Sequence, residues 1–191
     1  MINKFKIDIN PHYLFILLSI IIHLFASYSS IGFYAMDEHY QILEPLAQKL
    51  NLRDVHIYEI WELGNGLRPW TQVYIFYFII QILKYFSIYD PFVWIFIIKI
   101  LLSLLGLFST YLFYKLLIEK NLIKQTYFNS YIFFFFWFLI FFHARTSSEN
   151  LSMSIFIIGL ITFFKLEKFN YKNLPLFLIT GSLFGLSILI R

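Results

Sequence analysis

"PHYLFILLSIIIHLFASYSSIGF", residues Pro11 to Phe33, contains no Asp, Glu, Lys or Arg, and the charge-free run around it extends from Asp8 to Asp37. That is enough apolar chain for one membrane-spanning helix, which needs about 20 residues. It is too long for a typical signal peptide and has no small-residue cleavage site. A retained helix is therefore expected over roughly residues 11–33. The rest of the chain extends this reading. Of its 191 residues 60% are hydrophobic, 23% aromatic and only 14% charged, more apolar surface than a soluble domain of this size can hide. Further apolar segments recur at about 71–86, 92–114, 126–143, 151–164 and 174–190. The expected fold class is an all-α integral membrane protein, with residues 1–191 forming a single transmembrane domain.

Lysine placement sets the expected topology. Lys4 and Lys6 precede the first helix, Lys115, Lys120 and Lys124 follow the third segment, and Lys165, Lys168 and Lys172 follow the fifth. Positive residues favour the cytoplasmic side, so the three clusters should share it. They do so only if one segment between residues 34 and 114 fails to cross. Segment 71–86 is the best candidate. It reaches about 24 Å as a helix, short of a roughly 30 Å core, and carries Gln72, Gln81 and Lys84. Five spans are expected, with a large outer region over residues 34–91 in which 71–86 is a re-entrant or interfacial helix. The stretch "HARTSSEN", His143 to Asn150, then lies on the same outer face as Asp37.

Composition narrows the chemistry. Net charge is +4, but the lysines are dispersed between apolar segments, where they set topology; no nucleic-acid partner is expected. The absence of cysteine excludes disulfides, thiolate metal sites and a cysteine nucleophile. No GxxxxGK[ST] loop, GxGxxG turn or HExxH pair is present. An enzyme built on this chain would take its donor from the membrane rather than from a nucleotide-sugar domain.

Three polar elements stand out. Asp37 and Glu38 close the first helix, and the segment after them carries Ile42, Leu43, Leu46, Ala47 and Leu50 at helical spacing, so it should lie along the membrane surface. A carboxylate there can meet a lipid-borne head group; equally, the pair can be a polar helix stop beside the next helix N-terminus. "YEIWELGNGLRPWTQ", Tyr58 to Gln72, gathers Trp61, Glu62, Gly64, Gly66 and Arg68, with aromatics suited to an interface or to stacking on sugar. In "HARTSSEN", Arg145 and Glu149 are four apart and read either as a local ion pair or as a phosphate-binding guanidinium with an acid assisting at the acceptor or a metal. Lys99, inside the 92–114 helix, should snorkel or face the bundle interior, substrate phosphate being the weaker option.

Taken in order, these elements resemble the N-terminal part of the family 22 mannosyltransferases, integral-membrane GT-C enzymes that extend GPI anchors and dolichol-linked oligosaccharides. Asp37, Glu38, Tyr40 and Gln41 match the family's post-helix acidic pair. Trp61, Glu62, Gly66, Leu67, Arg68 and Pro69 match its "WE … R[SP]" run. Arg145, Thr146, Ser148 and Asn150 match its "RT-x-S-N" loosely, with Glu149 interposed. The resemblance covers about residues 12–191. It implies a GT-C-like multi-helix transmembrane bundle with juxtamembrane helices in the first outer loop, and a chain that is the N-terminal part of a longer glycosyltransferase.

By the same resemblance the function is transfer of a sugar from a polyprenyl-phosphate donor to a glycan or glycolipid acceptor within membrane lipid, with inversion. Asp37 would be the general base and Glu38 its support. Arg68, Arg145, Glu149, Trp61 and Glu62 would bind substrate, and Arg145 or Lys99 would neutralise the leaving phosphate. The cofactor stays open, a divalent metal being one option. The expected location is a bacterial inner membrane with the site facing outward. The competing reading is a non-catalytic membrane protein such as a transporter fragment or assembly subunit. Acids concentrated in the outer loop rather than at mid-membrane depth favour the enzyme.

Overall fold

A computed structural model describes residues 11–33, 36–52, 69–166 and 173–191, and every regular element among them is helical. Helix α1 spans Pro11–Ser29. A short α2, Met36–Glu38, passes through a wide π-turn at His39–Leu43 into α3, Glu44–Lys49. Then follow α4 (Thr71–Tyr85), α5 (Pro91–Glu119), α6 (Tyr127–Phe135), α7 (Trp137–His143), α8 (Ser148–Phe164) and α9 (Leu174–Ile190).

The ends of these helices follow local chemistry. Asp90 caps α5, its carboxylate accepting from Phe92 N–H at 2.8 Å, and Pro91 occupies the first turn, where no N–H is needed. Helices α3, α4 and α5 each stop at a residue with left-handed φ: Asn51 (57°), Ser87 (61°) and Asn121 (56°). Beyond each, the next N–H folds back onto the helix, as in Leu122 N–H to Leu117 O at 2.9 Å.

Two helices, His12–Ser29 and Pro91–Glu119, are long and apolar enough to cross a membrane. Tyr127–His143, Ser148–Phe164 and Leu174–Ile190 form shorter apolar stretches. Helix α1 is not uniformly apolar around its circumference. His12, Ser19, His23 and Ser27 recur at helical spacing and face the bundle, whereas Leu14, Leu17, Ile21 and Phe25 are exposed. Between helices in lipid, apolar surface supplies no driving force, and polar contacts and close packing do the work. His12 Nδ1 meets Ser130 Oγ at 2.8 Å, and Tyr114 shares that hydroxyl at 2.8 Å. Ser27 Oγ donates to Lys99 O at 3.4 Å. His23 Nδ1 lies 2.8 Å from Ser19 O, and its Nε2 lies 3.2 Å from His143 Nδ1. A carbonyl only accepts, so in the neutral pair His23 carries its proton on Nδ1 and His143 donates to Nε2. The His143 ring lies over Gly106; a Cβ there would stand 2.5 Å from the imidazole.

The apolar segment expected as one helix over 126–143 is broken at Phe136, which is extended (φ −62°, ψ 113°) without any proline or glycine. The break disturbs the i→i−4 ladder near Phe134. Ser19 Oγ donates to Phe134 O at 2.8 Å and satisfies that carbonyl from a neighbouring helix.

The segment after Asp37 also departs from expectation. Its apolar face, Ile42 and Leu46, does not lie against lipid. It is buried with Val73, Phe76 and Ile80 of α4, Trp94, Ile98 and Leu102 of α5, Leu151 and Ile155 of α8, and Ile190 of α9. A second cluster, Leu107, Tyr114 and Phe134, fills the other half of α5.

Candidate active site

The bend that carries "HARTSSEN" is built by its own side chains. Helix α7 ends at His143, and Ser147 caps α8, its Oγ accepting from Asn150 N–H at 3.3 Å. The Asn150 amide donates to His143 O at 2.9 Å and Arg145 O at 2.8 Å, so one side chain holds both sides of the corner. Asn150 is 1% exposed and Thr146 fully buried. The polar residues of this stretch therefore divide. Ser147 and Asn150 hold the turn, Ser148 is buried in it, and Arg145 and Glu149 project.

Glu38 meets this corner across 108 positions of sequence. Its Oε1 accepts from Thr146 N–H at 2.7 Å and also from the Thr146 hydroxyl. Gln72 of α4 donates from Nε2 to Thr146 O at 2.8 Å. Thr146 is thus held on its amide, hydroxyl and carbonyl by two different elements. Glu38 is 2% exposed, so its carboxylate serves as an interior acceptor. Asp37 precedes it in α2 and so shares this end of the bundle; its side chain lies outside the described residues. Trp61, Glu62 and Arg68 also lie outside them.

Two cations hold the chain as it leaves α1 toward Asp37. Lys99 Nζ donates to Ser30 O at 2.6 Å, so Lys99 faces the bundle interior. Arg145 Nη1 approaches Gly32 O at 3.4 Å. These carbonyls follow the C-terminal end of a helix, where orphan acceptors and the macrodipole favour positive charge. Gly32 has φ +73°, a conformation that favours glycine, although no atom would meet its Cβ within 4 Å.

Arg145 and Glu149 do not come together. Arg145 precedes α8, so helical i,i+4 geometry does not join them, and no ion pair between them occurs. The Arg145 guanidinium lies over the Phe141 ring at 4.6 Å and opens on a groove between α1 and α7. Glu149 is exposed and opens on a different groove, with Phe142, Met153 and Arg191. Thr146, Gln72 and the His23–His143 pair are not among the site residues expected from sequence. Thr146 sits inside a matched motif, but nothing local announces a partner in Glu38. His23 lies on the polar stripe of α1 and His143 at the end of α7, and nothing local joins the two. Among the described residues no three His, Asp or Glu side chains gather as a metal site.

What the arrangement can do follows from its parts. One end of the bundle holds an acidic turn and two cations beside the mouths of apolar grooves. That combination suits a proton acceptor and an oxyanion belonging to lipid-borne reactants. Comparison with curated proteins and with solved structures returns no match. The sequence profile of the Alg9-like mannosyltransferase family matches residues 13–191, nearly the whole chain, and the protein belongs to that family of membrane mannosyltransferases.

Proposed function

We propose that this protein transfers mannose from a polyprenyl-phosphate donor to a lipid-linked or other glycan acceptor, within a GT-C-like bundle formed as one transmembrane domain. In this reading Asp37 is the general base. It takes the proton of the acceptor hydroxyl as that oxygen bonds to the anomeric carbon from the face opposite the phosphate. The anomeric C–O bond to phosphate breaks, its electron pair leaves with the polyprenyl phosphate, and the configuration inverts. Arg145 meets the charge developing on the leaving oxygen, where a planar fork of donors matches phosphate. Glu38 works as a positioning residue for the Asp37 turn. Glu149, Trp61, Glu62 and Arg68 contact the sugars, and any divalent metal would be bound at this outer end.

The observation that carries the reading is the Glu38–Thr146 contact. It joins the acidic turn to the arginine-bearing corner, two of the three motifs on which the family resemblance rests. Supporting the outward-facing, five-span arrangement, Lys99 meets Ser30 at the same end of α1 at which His143 ends α7 and Ser148 begins α8, whereas His12 meets Ser130 at the other end. The proposed location is a bacterial inner membrane.

The test is transfer of labelled mannose from polyprenyl-phosphate mannose to a lipid-linked mannoside, by membranes containing the full-length protein. Asp37→Asn keeps shape and removes basicity; loss of a general base costs about 10²–10⁴-fold in rate, with expression and KM held. Near-normal transfer by Asp37→Asn rejects Asp37 as base. No transfer by the unmodified protein from any lipid-phosphate sugar favours the non-catalytic reading.

A further inference from the structure

Residues 34–38, which include Asp37 and Glu38, separate Phe33 from His39. The two ends of this stretch meet. The His39 ring stacks on the Phe33 ring, with centroids 4.8 Å apart and planes 20° from parallel, and so closes a short loop around the acidic pair. The same imidazole reaches α3, where its Nε2 lies 3.2 Å from Glu44 Oε1. Glu44 is buried and His39 half-buried, so little water competes for that bond.

The contact with Glu44 belongs to the wide turn. In an α-helix of 3.6 residues per turn, residues five apart stand about 140° apart around the axis, on different faces. Here Glu44 N–H donates to His39 O, the i→i+5 bond of a π-turn. Backbone and side chain therefore join the same two residues. Pro45, in the first turn of α3, has no N–H and disfavours a regular α-turn before it. Proline does not select what replaces that turn; the His39–Glu44 pair favours the wide one. The extra residue of a π-turn rotates the chain before it by about 100° relative to α3. In that orientation Glu38 Oε1 meets Thr146 N–H at 2.7 Å. A turn relaxed to α geometry would swing Asp37 and Glu38 together away from the Thr146 corner.

We infer that His39 is a positioning residue for the transfer reaction: it holds the wide turn against Glu44, closes the loop against Phe33, and so fixes where Asp37 stands. The reaction rests on the function proposed above; the holding of the turn does not.

Three substitutions in the full-length protein separate the two contacts. His39→Phe keeps the stack and loses the donor. His39→Gln keeps a donor and loses the ring. His39→Arg keeps both, since a guanidinium stacks on an aromatic face and donates to a carboxylate. Glu44 has further interactions, so it is left unchanged. In the mannose-transfer assay His39→Phe and His39→Gln should lower kcat by up to about 10²-fold, the cost of misplacing a reacting group by about 1 Å, with KM for the donor held. His39→Arg should recover most of that loss. The turn itself is read by a nitroxide on Met36→Cys, since Met36 is 70% exposed and the chain has no cysteine of its own. Its spectrum should show greater mobility in His39→Phe and His39→Gln than in His39→Arg or the unmodified protein. A nitroxide on Leu122→Cys, exposed beyond the far end of α5, should report no change. Normal transfer by both His39→Phe and His39→Gln overturns the assignment. So does an unchanged Met36 spectrum, a loss in His39→Arg equal to the other two, or an equal change at Leu122. If Asp37→Asn transfers normally, or the unmodified protein transfers no sugar, the function proposed above fails, and the Met36 spectra alone decide whether His39 holds the turn.

Discussion

Replacing Thr146 by Val removes one hydroxyl, keeps the side-chain shape, and so isolates the contact on which the geometry of the site depends. Thr146 is fully buried, and its hydroxyl donates to a carboxylate that is 2% exposed. A hydrogen bond to a charged group contributes about 1.5–3 kcal/mol. The Thr146 amide still serves Glu38, from 2.7 Å, so the carboxylate is weakened rather than abandoned, and the lower half of that range, about 1.5–2 kcal/mol, is expected. For a chain of 150–250 residues, 1 kcal/mol shifts Tm by about 2–4 °C, which predicts a fall of about 3–8 °C for the detergent-purified protein. Glu38 has interactions beyond Thr146, so a single substitution at Glu38 is ambiguous, and a double-mutant cycle of Thr146→Val with Glu38→Gln isolates the pair. Contacting residues couple by about 0.5–3 kcal/mol. Strict additivity, or a Tm unchanged in Thr146→Val, refutes the latch. With it goes the argument that Glu38 ties the Asp37 turn to the arginine corner.

Gly106→Ala places a methyl group 2.5 Å from the His143 ring; overpacking of this kind costs about 1–3 kcal/mol, and a lower yield of monodisperse protein in size-exclusion chromatography is expected. Gly32→Ala meets no atom within 4 Å yet sits at φ +73°. Its cost of about 1–2 kcal/mol is purely conformational, so Gly32→Asn, which tolerates this region, should recover most of the lost Tm. The chain has no cysteine, so Glu149→Cys and Gln125→Cys, both at exposed positions, can be labelled singly in intact cells with an impermeant thiol reagent. Labelling at residue 149 and protection at 125 is expected, and the reverse pattern would invert the proposed orientation.

How much of this was legible in the sequence depended on the distance over which each feature is determined. The first helix was readable because a charge-free run is a local property, and α1 indeed occupies Pro11–Ser29. Its packing face was also written locally, as His12, Ser19, His23 and Ser27 on one side, yet it was overlooked because hydropathy averages around the helix. The break at Phe136 has no local signal, and Ser19, 115 residues earlier, bonds the carbonyl beside it. The motifs "DE" and "RT" could be matched one by one. Their contact through Glu38 and Thr146 could not, because only the stacking of α1, α5 and α7 brings residues 108 apart to one end. Asn150 illustrates a third case: the sequence offers it only as a motif match, and its two amide bonds to backbone show it holding the turn.

The proposed topology turns on α4, the segment expected not to cross. Charge placement required one segment before residue 114 not to cross. Length does not decide it: α4 has 15 residues, about 22 Å at 1.5 Å per residue against a hydrocarbon core of about 30 Å, but α8 and α9 have only 17 each. A helix that spans the bilayer alongside α5 would contribute side chains to both halves of its neighbour's core. Helix α4 contributes Val73, Phe76 and Ile80 to the cluster at the Asp90 end of α5, with the first turns of α8 and the last residue of α9. The other cluster, around Leu107, Tyr114 and Phe134, is completed by α1, α6 and the residues after α5, without α4. A helix confined to one end of the bundle supports the re-entrant or interfacial reading. Through Gln72 it also gains a function in that position. Its amide holds the carbonyl of Thr146, so α4 braces the corner from which Arg145 projects.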